Sequence, residues 1–166
     1  LHYLVDNNFY FNVFEKYSDS DLVEITEYAK SINFQFASYM SASKFYKDYA
    51  LKTNDKQQYL EDYNQHVAIV SMYLANGDKD QAKQFISAMV EQRYQPATPT
   101  FLNAGRARRG ELVSCFLLEV DDSLNSINFI DSTAKQLSKI GGGVAINLSK
   151  LRARGEAIKG CLLYTS

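Results

Sequence analysis

Apolar residues recur along this chain in two rhythms. Up to about residue 93 they fall three and four apart, as on one side of a helix; beyond residue 110 short strand-like runs join that spacing. Leu22, Ile25, Tyr28, Ala29 and Ile32 predict a helix over 21–31, opened by the capping and acidic residues of 18–21. Phe36, Tyr39, Met40, Phe45, Tyr46, Tyr49 and Ala50 predict a second over 37–49, aromatic on more than one face and therefore largely buried. Val67, Val70 and Leu74 mark the inner face of a third, over 66–75, closed by Asn76-Gly77. Asp78 and Asp80 cap a fourth, with Ala82, Phe85, Ile86, Met89 and Val90 on one face, which stops before Pro96. A short helix and a turn at Asn7-Asn8 open the chain, and 50–53 and 57–61 read as two short strands about a polar turn.

The stretch 95–120 breaks this pattern. Both prolines, Pro96 and Pro99, lie in it, together with Arg106, Arg108, Arg109 and the first of the two cysteines, Cys115. Periodicity stops and turn formers take over. Leu112, Val113, Cys115, Phe116, Leu117, Leu118 and Val120 then form a nearly continuous apolar run, expected to be a strand buried on both faces. Leu124, Ile127, Ile130, Ala134, Leu137 and Ile140 predict a helix over 123–140, and 142–148 reads as a second strand. Strand, helix and strand in about 38 residues is the size of a βαβ unit with parallel strands.

Composition narrows the function classes. A net charge of −1 argues against a surface built for nucleic acid or anionic membrane. No apolar run reaches a membrane span and no signal peptide is visible, although the chain begins at Leu1. Two cysteines do not make a disulfide scaffold, so a reducing, cytoplasmic setting is expected. His2 and His66 lack metal-ligand spacing, and no metal site is expected. On pattern alone the chemistry-bearing side chains have plain readings. Cys115 is a small hydrophobe, Thr98 and Ser114 are turn and strand filler, and the glycines 141–143 form a helix C-cap and bend. Asp122 is an N-cap, and Arg152 is a solvated cation.

Two strings change those readings. Pro96-Ala97-Thr98-Pro99-Thr100-Phe101-Leu102-Asn103-Ala104-Gly105 followed by Ser114-Cys115-Phe116-Leu117-Leu118 resembles the large, catalytic subunit of ribonucleotide reductase. Gly141-Gly142-Gly143-Val144-Ala145-Ile146-Asn147-Leu148-Ser149 with Leu151-Arg152 agrees with it, and Arg108-Arg109-Gly110-Glu111-Leu112 is most similar to class Ib ribonucleoside-diphosphate reductases. The resemblance runs from Leu1 to about Gly160 and covers only the amino-terminal part of such a subunit. It implies a mainly α amino-terminal domain over 1–93. The first βαβ unit of a ten-stranded α/β barrel, truncated here, follows over 94–160. The tail 161–166, with Cys161, does not resemble the family and reads as foreign.

The resemblance also implies roles. Cys115 is one thiol of the redox pair that reduces the ribose. Thr98, Ser114, Cys115 and Gly143 contact the ribonucleoside diphosphate. Asp122 and Arg152 belong to an effector site for deoxynucleoside triphosphates or ATP at a large-subunit dimer interface formed in part by the helix over 123–140. Lys150 and Arg154 add phosphate charge nearby. Arg106, Arg108 and Arg109 are read as a solvated basic loop rather than a phosphate site. No cofactor is expected in this chain; the dimetal-radical cofactor is expected in the separate small subunit, and a redoxin-type dithiol is the expected reductant. The thiyl cysteine, the active-site carboxylate and the partner of Cys115 are not among these residues, so this chain alone is expected to be inactive. The competing readings are an adenosylcobalamin-dependent class II reductase, a helical module with a thiol switch at Cys115, and a non-catalytic nucleotide sensor.

Overall fold

The structure, a computed structural model, describes residues 1–107 and 110–157. Arg108, Arg109 and the 161–166 tail with Cys161 lie outside the described residues. The chain forms two compact units, Leu1–Leu112 and the residues from Val113 onward.

The first unit is built around a helix with almost no polar face. α4, Tyr63–Ala75, buries Val67, Ala68, Ile69, Val70 and Met72, as a helix apolar on all sides must. Asp62 and Gln65 form its capping box: Asp62 Oδ1 accepts from Gln65 N at 2.8 Å, and Gln65 Oε1 accepts from Asp62 N at 2.9 Å. Asn76, left-handed at φ +49°, ends it. α2 (Asp19–Ser31, capped by Ser18) and α5 (Lys79–Val90, capped by Asp78) pack against it. They contribute Leu22, Ile25 and Ala29, and Ala82, Ile86, Met89 and Val90. α1, His2–Asp6, precedes the predicted turn.

Two local expectations are corrected. The helix predicted over 37–49 is α3, Tyr39–Lys44, followed by a widened π turn over Phe45–Tyr49, and only Phe45 of the two is buried. Tyr39 and Met40 are exposed. The wide turn, in which Ala50 N donates to Phe45 O at 3.0 Å, aims Phe45, Tyr46 and Tyr49 at His66, Tyr59 and Phe101 respectively. The packing goes to those rings and leaves the first helical turn in water. The two strands predicted around 50–61 reduce to one antiparallel bridge, Lys52↔Tyr59. Asp55 draws the hydroxyl of Thr53 and, at 3.1 Å, the N–H of Gln57 into a side-chain-closed turn.

The segment 94–112, expected to begin the second region, belongs to the first unit. It contains an unpredicted helix, α6, Thr98–Asn103, with Pro99 in the first turn, where a missing N–H costs nothing. The segment is stitched back by Phe11 N to Gly105 O and Ala107 N to Phe9 O, both 3.0 Å. Beneath it Glu61 is buried and gathers donors from distant parts of the chain. Its Oε1 accepts from Leu51 N at 2.7 Å and Arg106 Nη2 at 2.5 Å, and lies 2.8 Å from His66 Nδ1. Its Oε2 accepts from the Tyr10 hydroxyl. Arg106, expected in a solvated loop, is 8% exposed and also donates to Tyr49 O at 3.1 Å. A buried carboxylate requires a counter-charge, and Arg106 supplies it.

The second unit is a parallel βαβ unit. β1, Cys115–Glu119, leads through α7, Leu124–Lys139, to β2, Gly143–Asn147. α7 is capped by Ser123, whose Oγ accepts from Ser126 N at 3.2 Å, and it packs on both strands. The expectation that β1 is buried on both faces is corrected. Phe116 and Leu118 are half-buried while Cys115, Leu117 and Glu119 are exposed, Leu117 at 87%. One helix covers one face of a two-stranded sheet, and among the described residues the other face stays open. The apolar run outlasts the strand because Leu112 packs into the first unit's core.

Burial alone would raise the Glu61 carboxyl, but hydrogen bonds and charge from His66 and Arg106 outweigh it and bring it down to about 2. Burial, then the Glu61 charge, pushes the Tyr10 phenol up. A carboxyl held below its ordinary range, roughly 4, stabilises the fold above that range, and the contribution is lost as pH falls toward 2. Glu61→Gln should cost roughly 3–5 kcal/mol at neutral pH and flatten the acid limb between pH about 5 and 2. Urea denaturation across that pH range measures both.

Candidate functional site

Cys115 opens β1 directly opposite Gly143 in the parallel register, and Phe116 lies opposite Val144. Side chains of paired positions project to the same face, and successive positions alternate. Phe116 and Val144 are half-buried, whereas Cys115 and Gly143 share the exposed face. The Cys115 thiol is free. Its sulfur lies 3.8 Å from Ser114 Oγ, and the Ser114 carbonyl accepts the Gly143 N–H at 2.6 Å. Three of the four predicted substrate residues, Ser114, Cys115 and Gly143, therefore meet at one end of the strand pair. The thiol stands beside a position with no side chain.

The three glycines do different work. Gly141 takes a left-handed φ of +89° after the C-terminus of α7. A Cβ on Gly142 would sit 2.5 Å from Phe116 Cε2 and 2.9 Å from Leu137 O, so no side chain fits without a shift. A Cβ on Gly143 would meet only Ser114 O, at 3.4 Å, an ordinary contact. Packing thus demands glycine at 142, which sequence reasoning passed over for 143. What Gly143 provides is open space beside the sulfur. Nothing in the sequence marks 142, because the clash depends on which aromatic ring lies under the turn.

Thr98, the fourth residue, begins α6 in the first unit and is exposed. α6 has no side-chain N-cap, and its fit comes from below, where Phe101 is buried against His66 at a ring separation of 4.4 Å. His66 Nε2 lies 2.8 Å from Phe101 O; a carbonyl only accepts, so Nε2 carries a proton.

Asp122 and Arg152 are brought together: Arg152 Nε donates to Asp122 Oδ2 at 2.7 Å, and Nη1 donates to Ala157 O at 3.0 Å. Lys150 Nζ lies 3.1 Å from Glu119 Oε2 and 3.3 Å from Asp121 Oδ1. Hydrogen bonds to Glu119, then Asp121, raise the Lys150 pKa. These pairs are solvent-exposed and individually weak. Arg154 is exposed. Among the described residues no group of His, Cys, Asp and Glu could hold a metal ion, and no helix is long and apolar enough to cross a membrane.

Residues 35–109 match the family described as ribonucleotide reductase, all-alpha domain, and residues 113–164 match ribonucleotide reductase, barrel domain. The second match reaches into the tail that the sequence alone set apart. Over 160 residues, 96% of the chain, it is 58% identical to a ribonucleoside-diphosphate reductase subunit alpha of Bacillus subtilis, of which it covers 23%. It is 46% identical over the same length to the protein of that name in Mycoplasma pneumoniae, covering 22% of it. The ribonucleoside-diphosphate reductase large subunit of vaccinia virus is 29% identical over 151 residues, which is 90% of this chain and 18% of that one. The chain thus spans less than a quarter of the length of these relatives.

Gly142→Ala should destabilise the second unit by roughly 1–3 kcal/mol, the cost of overpacking, and Phe116→Leu in the same chain should recover part of that loss. Thermal denaturation of the single and double variants checks this; an additive loss would mean that ring and turn do not meet.

Proposed function

This chain belongs to the ribonucleotide reductase large-subunit family, and from that premise we propose that it supplies one redox thiol and parts of two nucleotide sites to a class Ib ribonucleoside-diphosphate reductase. The observation that carries the reading is the free, exposed Cys115 beside the bare Gly143 at the start of a parallel strand pair. A thiol that must meet a ribose and then exchange with an external dithiol has to be accessible on a rigid support.

In the proposed reaction a ribonucleoside diphosphate becomes its 2′-deoxy form. A thiyl radical elsewhere in the subunit, generated through the small subunit and its dimetal-radical cofactor, abstracts and later returns the 3′ hydrogen. The 2′ hydroxyl leaves as water. Cys115 and a second thiol give up two electrons and their protons and end as a disulfide, which a redoxin-type dithiol reduces again. Thr98 and Ser114 offer hydroxyls, and Gly143 offers room, to the diphosphate and ribose. Arg152, with Lys150 and Arg154, offers phosphate charge to a deoxynucleoside triphosphate or ATP effector, and Asp122 faces its sugar or holds Arg152. α7 contributes to a large-subunit dimer interface. The reducing cytoplasm is the proposed setting, because it keeps the thiol reduced.

Cys115→Ser, made in a full-length large subunit carrying this chain and assayed with its small subunit and a dithiol, should bring deoxynucleotide formation to background while substrate binding persists. Retained turnover, or turnover that needs cobalamin and no small subunit, would refute the assignment. Arg152→Ala should weaken deoxynucleoside triphosphate binding about tenfold or more, as loss of a charge-assisted contact does. Equilibrium dialysis measures it, and unchanged affinity would remove Arg152 from the effector site.

A further inference from the structure

We propose that His66, buried in the helical unit, is a positioning residue for the turn that presents Thr98; this rests on the reading of Thr98 as a substrate contact. α6 has little reason to form by itself. It has six residues, far fewer than the roughly 12–15 that make an isolated helix even marginal, and carries β-branched Thr98 and Thr100, Pro99, and an alanine as N-cap. Tertiary contacts must hold it.

Those contacts converge on Phe101, one turn after Thr98. Its ring is buried within 5.6 Å of Tyr49, 6.2 Å of Tyr63 and 4.4 Å of His66. Its carbonyl belongs to the last turn of the helix, where no helical N–H is due, and His66 Nε2 donates to it at 2.8 Å. His66 is itself immobilised. It is fully buried, edge-on to Phe45 at 5.4 Å, with Nδ1 against Glu61 at 2.8 Å. On its other side α6 braces the chain that follows. Thr100 Oγ1 donates to Leu112 O at 3.0 Å, and Asn103 Nδ2 donates to Glu111 O at 2.9 Å. A six-residue helix clamped in this way moves as one piece, so loss of the His66 bond displaces Thr98.

The test is steady-state kinetics of a full-length large subunit carrying this chain, with its small subunit and cytidine diphosphate as substrate. His66→Gln keeps an N–H donor near the place of Nε2; His66→Asn is too short to reach Phe101. His66→Asn should raise KM about 3- to 10-fold, the value of one net hydrogen bond, with kcat changed less than about twofold. His66→Gln should stay within about twofold of the parent in both. Thr98→Ala, as reference, should raise KM. If Thr98→Ala raises KM while the Asn and Gln variants behave alike, the positioning role is refuted and the Thr98 reading stands. If Thr98→Ala changes nothing, the Thr98 reading fails and the inference falls with it. Should His66→Asn not accumulate folded, His66→Met, which fills the space without a donor, replaces it in a Glu61→Gln background, with Glu61→Gln alone as its reference and the same criteria.

Discussion

A carboxylate cut off from water has to be met by donors, and Glu61 draws them from four separated parts of the chain: Tyr10, Leu51, His66 and Arg106. None of these contacts is local in sequence except that of His66, five residues on. Satisfying one buried charge therefore fixes where the amino-terminal segment, the bridged turn, the central helix and the proline-rich segment lie within the first unit. The hydrophobic core around α4 supplies cohesion, but apolar packing is tolerant of small displacements. The Glu61 cluster is not, because a donor withdrawn from a buried charge is expensive. The short helix that carries Thr98 inherits its placement from this cluster through His66 and Phe101.

The second unit meets a different constraint. Its parallel strands are related through α7, and their register depends on a turn in which backbone, ring and helix end come very close. Gly142 permits that approach, Phe116 fills the space beneath, and the Gly143 N–H closes onto Ser114 O. The result is a thiol on a strand end with nothing projecting from the facing position. The face that Cys115 shares with Gly143 is left open, which suits the proposed role of a sulfur that meets first a sugar and later another thiol.

How far the sequence disclosed this differs from element to element for physical reasons. α2, α5 and α7 were legible because capping residues and helical periodicity agree in each: Ser18, Asp78 and Ser123 all accept from the third residue of their helices. α4 was legible from apolar spacing alone and begins at Tyr63, three residues before the expected start, because Asp62 caps it there. α6 was not, because Pro96 and Pro99 signal a break, and only tertiary contacts make the helix. The aromatic stretch over 37–49 was misread because spacing cannot show a widened turn that redirects Phe45, Tyr46 and Tyr49. Arg106 passed for a surface cation because its partner lies 45 residues away. Ser114, Cys115 and Gly143 were named from family resemblance together with Thr98, and their meeting at one strand end comes from the register that pairs Cys115 with Gly143. The special role of Gly142 was not foreseen, since it is a property of strand register rather than of any string of residues.

The most direct test of the central claim, that Cys115 is the thiol that delivers electrons to the ribose, is a single turnover without external dithiol. Reduced large subunit carrying this chain is mixed with its small subunit and a ribonucleoside diphosphate, quenched by alkylation in acid, and mapped by peptide mass spectrometry. Deoxynucleotide should form in proportion to the Cys115 peptide recovered in an intramolecular disulfide. Deoxynucleotide accompanied by fully alkylated Cys115 would show that the electrons came from elsewhere.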